Sequence, residues 1–391
     1  MTDVEDRAAV TMDTADVDRY VGRPLGGRQL KEPVGVTDIR RWAQGMHYPN
    51  PVHYDEERAA ASPFGRIVAP QSFAVCCDVG HGAGPAIAGT IPGSHMIFGG
   101  DEWWFYGPRI HVGDLLHSRR RFLDYVVKDT GFAGPTMFSR GETVHINQRS
   151  EQVSRQWSTA VRYLAERARR LGYFSGSPVP RWTDEQLADV RRQRHDWIRS
   201  APPAGDGRHF EEVQVGDRLL TRPIGPHTVQ TFTTEWRAFT FSVWGSSYRE
   251  GENHLLTAGW LEEMAQGELT SAGLDLDELD GLYRGPSRGH TDTEHAQLIG
   301  MPRGYGYGAS MGAWVLDYIA YWAGDAGFIR HSKVQYRFPP FEGDLSLLDG
   351  EVVDKREDPL LGVPIATVRV TMSTQDGTVM AKGDVEVELA R

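Results

Sequence analysis

Cysteine is scarce in this chain: among 391 residues only Cys76 and Cys77 occur, and they are neighbours in an apolar segment. Adjacent cysteines rarely form a disulfide with each other. Two cysteines cannot form a zinc site unaided, and His, Asp and Cys do not recur at metal-ligand spacing, so we expect no metal. Buried, reduced thiols fit a cytoplasmic protein, since structural disulfides belong to oxidising compartments.

Positive charge and long apolar runs are also lacking. The chain has 42 Lys and Arg against 53 Asp and Glu, a net charge of -11. Nucleic-acid binding depends on clustered Lys and Arg, so we expect no nucleic-acid partner. No window approaches the ~20 apolar residues that a helix needs to cross a bilayer, so we expect no membrane partner. The length is enough for two domains that each bury a core.

Two segments share a His-x-Asp core. The first is Asn-Pro-Val-His-Tyr-Asp at 50–55, and the second is Gly-His-Thr-Asp at 289–292. Each is followed by a short helical segment, an apolar run, and an aromatic strand that ends in Gly-Asp at 113–114 or 343–344. This shared order predicts two diverged copies of one domain in a single chain.

Composition also sets the expected domain boundaries. We expect a mobile tail over 1–19, a first domain over 20–165, a helical linker over 166–209 and a second domain over 210–391. The second copy carries extra residues at about 242–284. Insertions of this length in a compact domain commonly form a lid or an interface.

Each copy combines one buried helix with a run of strands. Apolar residues nearly all round predict buried helices at 71–80 and 311–322. Alternating patterns between turn residues predict strands at 96–98, 103–105, 115–127, 136–146, 153–163, 333–338, 345–354, 365–373 and 378–388. The pattern favours an α+β fold in which a sheet wraps each helix.

This order of elements, with Asn-Pro-x-His-x-Asp before a buried helix, resembles the hotdog fold and, within it, the MaoC-like dehydratases and (R)-specific enoyl-CoA hydratases. The resemblance runs from about Tyr20 to Glu388 as a tandem double hotdog, with two antiparallel sheets each wrapped around a long central helix. The first half resembles the dehydratase-like N-terminal domain of such fusions. The family's catalytic Asp lies five residues before the His, where this chain has Tyr48 and Gly285.

The resemblance implies reversible addition of water to a 2-enoyl thioester of CoA or an acyl-carrier protein, with no cofactor. Such chemistry needs a base for water, an acid for Cα and donors for the developing enolate oxygen. His53 is our first choice as the acid/base because its motif is fuller, with His290 as the alternative and Asn50 orienting water or substrate. The missing carboxylate can be replaced by Tyr48, Asp55 or Asp292.

In the family, the oxyanion donor is a backbone N–H at the start of the buried helix. In the first half that helix opens at Ala69-Pro70, and proline has no N–H to offer. In the second half Tyr307 precedes Gly308, which can present its N–H at close range. Tyr307 and Gly308 are therefore the expected substrate-binding residues.

Two other functions stay open at this stage. A lyase or isomerase of a specialised pathway would use Tyr48 with His53 on an unusual substrate. A non-catalytic acyl-thioester binder would also explain the loss of the same carboxylate from both copies. The two halves can pair within one chain, and a further homodimer is compatible with the sequence.

Overall fold

The computed structural model describes residues 11–30, 32–77, 82–246 and 288–391. Side chains are described throughout these ranges except at 28, 76, 77 and 239–246. Gly285, residues 1–10 of the expected tail and the part of the expected insertion beyond residue 246 lie outside the described residues.

The described strands are β1 Pro24–Gln29, β2 Ser94–Phe105, β3 His117–Thr130, β4 Gly134–Ile146, β5 Gln152–Leu164, β6 Arg218–Ile224, β7 Phe328–Tyr336, β8 Ser346–Glu357, β9 Pro364–Ser373 and β10 Val379–Glu388. The described α-helices are α1 Ala15–Asp18, α2 Val36–Gly45, α3 Glu56–Ala61, α4 Ala165–Leu171, α5 Asp184–Arg199, α6 Val229–Ser246, α7 Thr293–Leu298 and α8 Gly308–Ala323. Short 3₁₀ helices lie at Pro51–His53, Gln71–Cys77, Gly84–Ile87 and Arg288–His290.

The ten strands form one antiparallel sheet in the order β1-β3-β4-β5-β2-β7-β10-β9-β8-β6. Each half of the chain supplies five neighbouring strands, and the halves join where β2 pairs with β7, from Gly100↔Gln335 to Trp104↔His331. The α+β class is confirmed. The two expected sheets are therefore continuous with each other, because each half leaves one strand edge that the other covers.

The internal duplication is visible in matched hydrogen bonds. Asp114 accepts from the Nε2 of Gln148 at 3.0 Å, and Asp344 accepts from the Nε2 of Gln375 at 3.3 Å. Each glutamine Oε1 also accepts from the backbone N–H that follows the aspartate, at 3.0 Å and 2.9 Å. The two Gly-Asp turns found in the sequence thus close the same loop in both halves.

The two halves differ in what their sheets enclose. In the second half α8 is buried nearly all round, against apolar side chains such as Val368, Val370 and Val385. In the first half the expected helix over 71–80 is a 3₁₀ helix at Gln71–Cys77, and residues 78–81 lie outside the described residues. The first sheet presents buried polar residues inward, so it offers no apolar surface against which a long helix could pack. These polar residues are Ser118, Ser139, Thr143, His145, Gln156 and Ser158.

The last residues of the expected tail over 1–19 pack against the core. Residues Ala15–Asp18 form α1, and Val17 is fully buried in a small cluster with Ile91, Phe122 and Met137. Gly89 lies so close to Val17 that an added Cβ would come within 2.8 Å of its Cα. The Asp16 carboxylate also accepts from Thr90 N at 2.8 Å, so apolar packing and a hydrogen bond both join this turn to the core.

Candidate active site

The two motif histidines occupy equivalent positions. His53 ends the 3₁₀ helix Pro51–His53, and His290 ends the 3₁₀ helix Arg288–His290. Each ring contacts the carbonyl fifteen residues further on: His53 Nδ1 lies 2.6 Å from Val68 O, and His290 Nδ1 lies 2.7 Å from Tyr305 O. A carbonyl only accepts, so Nδ1 carries the proton in both rings and Nε2 is the basic nitrogen.

The surroundings of His53 are closed. Its side chain is 2% exposed, and burial lowers its pKa to about 3, so it stays neutral near pH 7. Gln71 stands at the start of the 3₁₀ helix that follows the motif loop. Its Nε2 donates to Ile329 O at 3.0 Å and its Oε1 accepts from Ile329 N at 2.9 Å. These two bonds tie the start of that helix to β7, where an oxyanion site would otherwise lie.

His290 instead lines a cavity of about 90 Å³ between the two halves. Its ring is half-buried and packs between Tyr305 and Tyr307, with centroids 4.2 Å and 4.1 Å away. The lining residues come from β2 and the loop before it, from the second motif and the residues that follow it, from the loop after β7, and from the start of α8. They are Ala83, Met96, Ile97, Phe98, His290, Tyr305, Gly306, Tyr307, Gly308, Ala309, Met311 and Pro339. The expected substrate-binding residues Tyr307 and Gly308 therefore share one cavity with His290.

The first turn of α8 gives this cavity its hydrogen-bond donors. Tyr307 is the N-cap and Gly308 the first helical residue. The N–H groups of a first helical turn have no acceptor within the helix, and the helix dipole makes this end positive. Gly308 packs so tightly on Phe98 of β2 that a Cβ would overlap the Phe98 side chain. Glycine is thus required here to bring α8 against the other half.

Tyr48, Asn50 and His53 lie together, and none of them lines the His290 cavity. Asn50 donates from Nδ2 to Asp325 Oδ1 at 3.2 Å, and its Oδ1 accepts from Val52 N. Tyr48 is 2% exposed, and burial raises its pKa well above the ordinary value, so its phenol stays protonated. The fuller motif therefore forms a packed junction between the halves.

Asp55 and Asp292 are helix N-caps. Asp55 Oδ1 accepts from Glu57 N at 2.9 Å at the start of α3, and Asp292 Oδ1 accepts from His295 N at 3.1 Å at the start of α7. The bond from His295 holds the pKa of Asp292 below its ordinary value. Both carboxylates are occupied in the same way, which argues against either as the replacement for the missing Asp.

Replacing Asp292 by alanine is expected to lower the free energy of unfolding by about 1 kcal/mol, the usual cost of losing an N-cap. Asp292→Asn keeps a capping oxygen and should recover most of that stability, whereas a catalytic carboxylate would be lost in both variants. Denaturant unfolding and turnover of both variants give the comparison. A turnover defect shared by Asn and Ala at unchanged stability would restore Asp292 as a reacting group.

Glu235 is a buried acid that sequence reasoning missed. It lies on α6, is fully buried, and neither carboxyl oxygen has a hydrogen-bond partner among the described residues. His47 Nε2 lies 3.7 Å away, and Ser310 in the first turn of α8 is a further neighbour whose buried Oγ has no partner in the described part of the chain. The sequence signal was weak: one acid between Phe232 and Trp236 in a mostly apolar helix, 55 residues before His290.

Glu235→Gln should stabilise the protein increasingly as the pH rises. Burial raises the pKa of Glu235 above its ordinary 4.5, so the folded state holds the proton more tightly than the unfolded state. The stability that protonated Glu235 contributes is therefore fully present below about pH 4.5 and is lost as the pH rises through the raised pKa. The neutral Gln side chain escapes that loss. Unfolding curves from pH 4.5 to 8 measure the difference.

Glu166 provides a control of opposite sign for that series. Its exposed carboxylate is held by Arg169 and Arg170, and these hydrogen bonds lower its pKa to about 2. Glu166→Gln should therefore lose stability relative to wild type as the pH rises from about 2 to 4.5, so the unfolding curves of this control start near pH 2. If Glu235→Gln gave the same falling trend, Glu235 would be ionised and paired in the folded protein.

Comparisons with known proteins give the family. A profile described as "FAS1-like, dehydratase domain region" matches residues 19–156. A UPF0336 protein of Thermobifida fusca is 30% identical over 110 residues, which are 27% of this chain and 69% of that protein. A "Probable enoyl-CoA hydratase alpha subunit" of Thermomonospora curvata is 46% identical over 55 residues, 14% of this chain and only 17% of that subunit.

Solved structures extend the likeness to the whole chain. A "MaoC-like dehydratase" superposes with a TM-score of 0.60 and 16% identity over 96% of this chain and all of that one. The chain belongs to the family of that UPF0336 protein, and it has the fold of the MaoC-like dehydratases. A Mycobacterium tuberculosis protein described as a double hotdog gives a TM-score of 0.54 at 11% identity, over 95% of this MaoC-like chain and 97% of its own. The double-hotdog architecture is thereby confirmed.

This MaoC-like protein also has a larger cavity of about 470 Å³, beside Tyr48. Two arginines line it, but Arg222 donates to the carbonyls of Met46, His47 and Trp314, and Arg194 donates to Gly225 O. No residue of α8 lines this cavity, and the helix start that reaches it, Thr231 in the first turn of α6, already donates its N–H to Thr228 Oγ1. Size alone therefore does not select it as the reaction site.

Two further properties concern the described residues alone. No described helix combines the length and apolar character needed to span a bilayer. No three His, Cys, Asp or Glu side chains in the described ranges lie close enough together to bind a metal ion. The expected absence of a metal or cofactor stays a prediction.

Proposed function

We propose that this MaoC-like protein catalyses the reversible addition of water to a 2-enoyl thioester of CoA or an acyl-carrier protein, in the cavity between its two halves. One observation carries the proposal: His290 and the first turn of α8 line the same cavity. A base and a set of oxyanion donors are the two parts that this reaction requires within a few ångströms of each other. His53 has no such combination around it.

In the hydration direction His290 Nε2 takes a proton from water while the water oxygen bonds to C3 of the enoyl group. The C2–C3 double bond becomes an enolate whose negative charge rests on the thioester oxygen. The N–H groups at the start of α8, beginning with Gly308, donate to that oxygen, and the positive end of the helix dipole supports them. Transfer of that proton from His290 Nε2 to C2 completes the product and leaves His290 neutral again, and dehydration is the reverse.

Glu235 supports the start of α8 from outside the cavity. It does not line the cavity, and its raised pKa favours the protonated form, which can donate towards neighbouring oxygens. Phe232, one turn earlier on α6, packs against Gly306, so α6 braces the segment that leads into α8. We assign Glu235 as a positioning residue for the first turn of α8. The first half contributes the opposite wall, through Ala83 and Phe98.

The test is hydration of crotonyl-CoA by the purified protein, followed as loss of the conjugated enoyl absorbance, with binding of the same ester measured by calorimetry. Turnover supports the proposal. Binding without turnover of crotonyl-CoA or longer and branched 2-enoyl-CoAs would contradict it and favour an acyl-thioester binder. Tyr48→Phe separates the remaining alternative, since a lyase or isomerase that uses the Tyr48 phenol would lose its activity in that variant.

A further inference from the structure

A group of buried polar side chains lies at the junction of β2, β5 and β7. We call Asp101, Gln156, Ser332 and Tyr336 the polar cluster. Each is at least nine-tenths buried. Trp103 of β2 is the cross-strand neighbour of both Gln156 and Ser332, so these side chains share one face of the sheet with Asp101, two residues before Trp103.

Much of the cluster's hydrogen-bonding capacity is unused. The Tyr336 hydroxyl donates to Asp101 Oδ1 at 3.0 Å. The Ser332 hydroxyl and the Oε1 of Gln156 have no hydrogen-bond partner within the described ranges. Burial raises the pKa of Asp101 to about 6, and hydrogen bonding from Trp103, Tyr336 and the Gln156 amide opposes that rise. Buried polar groups without partners are costly, and a native structure that keeps several together calls for an explanation.

The contrast with the second half sharpens this point. There the inward face of the sheet is built from apolar residues that pack on α8: Val352, Val368, Val370, Met372 and Val385. The same fold can therefore line its interior without polar groups. The polar cluster lies instead where the halves join: Asp101 and Gln156 belong to the first half, and Ser332 and Tyr336 belong to β7 of the second.

Only one layer of residues separates the cluster from that cavity. Phe98 lines the cavity, and its ring packs on Tyr336 with centroids 5.7 Å apart. Met311 also lines it, and the next residue, Gly312, lies so close to the cluster that a Cβ would come within 2.8 Å of Asp101 Oδ2 and 2.6 Å of the Tyr336 hydroxyl.

The third contact comes from the loop before β2. Ala83 lines the cavity, and its neighbour Gly82 approaches Gln156 so closely that a Cβ would lie 2.8 Å from Oε1 and 2.9 Å from Nε2. Glycine at both points of approach leaves the polar atoms directly behind the cavity wall. The cavity of about 90 Å³ is small, and Phe98 and Met311 are the lining residues that stand between it and the cluster.

We propose that the substrate's acyl group carries a hydroxyl or carbonyl oxygen at its end remote from the thioester, and that the polar cluster binds that oxygen. This inference rests on the proposed function and specifies the substrate class of the same site. The Gln156 amide can donate or accept, the Ser332 hydroxyl can do either, and Asp101 can accept from a substrate hydroxyl. A site whose polar groups pair with a substrate oxygen discriminates strongly against an analogue that lacks it.

The experiment compares two esters of equal chain length, 2-octenoyl-CoA and 8-hydroxy-2-octenoyl-CoA, in wild-type protein. We expect kcat/KM to be at least about tenfold higher for the hydroxylated ester, the ratio that 1.4 kcal/mol produces. Equal values, or a preference for the apolar ester, would overturn the inference. Both values come from one protein, so folding of a variant does not enter the comparison.

Two substitutions then locate the recognition. Tyr336→Phe and Gln156→Met change the shape of the cluster little and should each reduce the preference for the hydroxylated ester. Asp124→Asn, an exposed site on β3 paired with Arg140, is the matched control and should leave the preference unchanged. An unchanged preference in both cluster variants would also overturn the inference.

Failure of the subsite proposal and failure of the proposed function give different results in these experiments. If crotonyl-CoA is hydrated but the two octenoyl esters are equivalent, the proposed function stands and the polar cluster is not a substrate subsite. If no ester is turned over, the proposed function fails, and calorimetry with the same two esters still decides whether the cluster selects the hydroxyl group. Tighter binding of the hydroxylated ester supports the inference, and equal binding overturns it.

Discussion

Replacing His290 by alanine is expected to lower kcat for enoyl-thioester hydration by at least about 100-fold, since a positioned acid/base contributes roughly 10²–10⁴-fold. The same change at His53 should leave kcat within a few-fold. The two rings make the same bond to a carbonyl fifteen residues ahead, so the pair is matched in local geometry. They differ in access, because His290 lines a cavity and His53 is 2% exposed. Steady-state kinetics with crotonyl-CoA measures both effects.

The loss of unfolding free energy should rank the two variants in the reverse order. His53→Ala removes a buried ring and leaves Val68 O without its donor, which is expected to cost roughly 1–3 kcal/mol of unfolding free energy. His290 is half-buried, so its loss should cost less. Denaturant unfolding of the two variants checks this order. A 100-fold loss of kcat in His53→Ala at unchanged stability would move the reaction site to the first half.

The sequence and the structure rank these two histidines by different criteria. Completeness of Asn-Pro-x-His-x-Asp was the reason to place His53 first, and in the structure the added residues serve packing: Asn50 bonds to Asp325 across the halves, and Asp55 caps α3. Gln71, which opens the 3₁₀ helix after the first motif loop, is held by its bonds to Ile329, 258 residues away in sequence. No local pattern reports a contact over that distance.

Elements with strong local signals were predictable. The hairpin strands of both halves and the buried helix of the second half follow from apolar periodicity and turn residues. The 3₁₀ helix at Gln71–Cys77 was not predictable, because a short apolar run does not distinguish an α-helix from a 3₁₀ helix. This segment packs against α6 and α8, which lie far away in sequence. Glu235 escaped notice for a similar reason, since its burial depends on α6 packing against α2 and against the segment Gln71–Cys77.

Gly308→Ala is the second large effect that we expect. An added Cβ would overlap Phe98 and force the start of α8 away from β2, and overpacking of this kind costs roughly 1–3 kcal/mol. Alanine keeps its N–H, so the group itself remains. The donor is displaced, and misplacing an oxyanion donor weakens only the transition state. We therefore expect kcat to fall by at least about tenfold, together with a lower midpoint of thermal unfolding.

The clash can be relieved from the opposite side, which makes the explanation testable. Phe98→Gly removes the Cβ that the new methyl group would strike as well as the ring, so the double variant Gly308→Ala/Phe98→Gly should recover part of the kcat that Gly308→Ala loses. Residues in contact commonly couple by 0.5–3 kcal/mol in such a cycle, whereas independent sites add. Gly131→Ala is the control, because an added Cβ there would meet only Tyr173 at 4.0 Å. Strict additivity between positions 308 and 98 would mean that the approach of α8 to β2 does not set the geometry of the donors, and the tight packing at Gly308 would then serve stability alone.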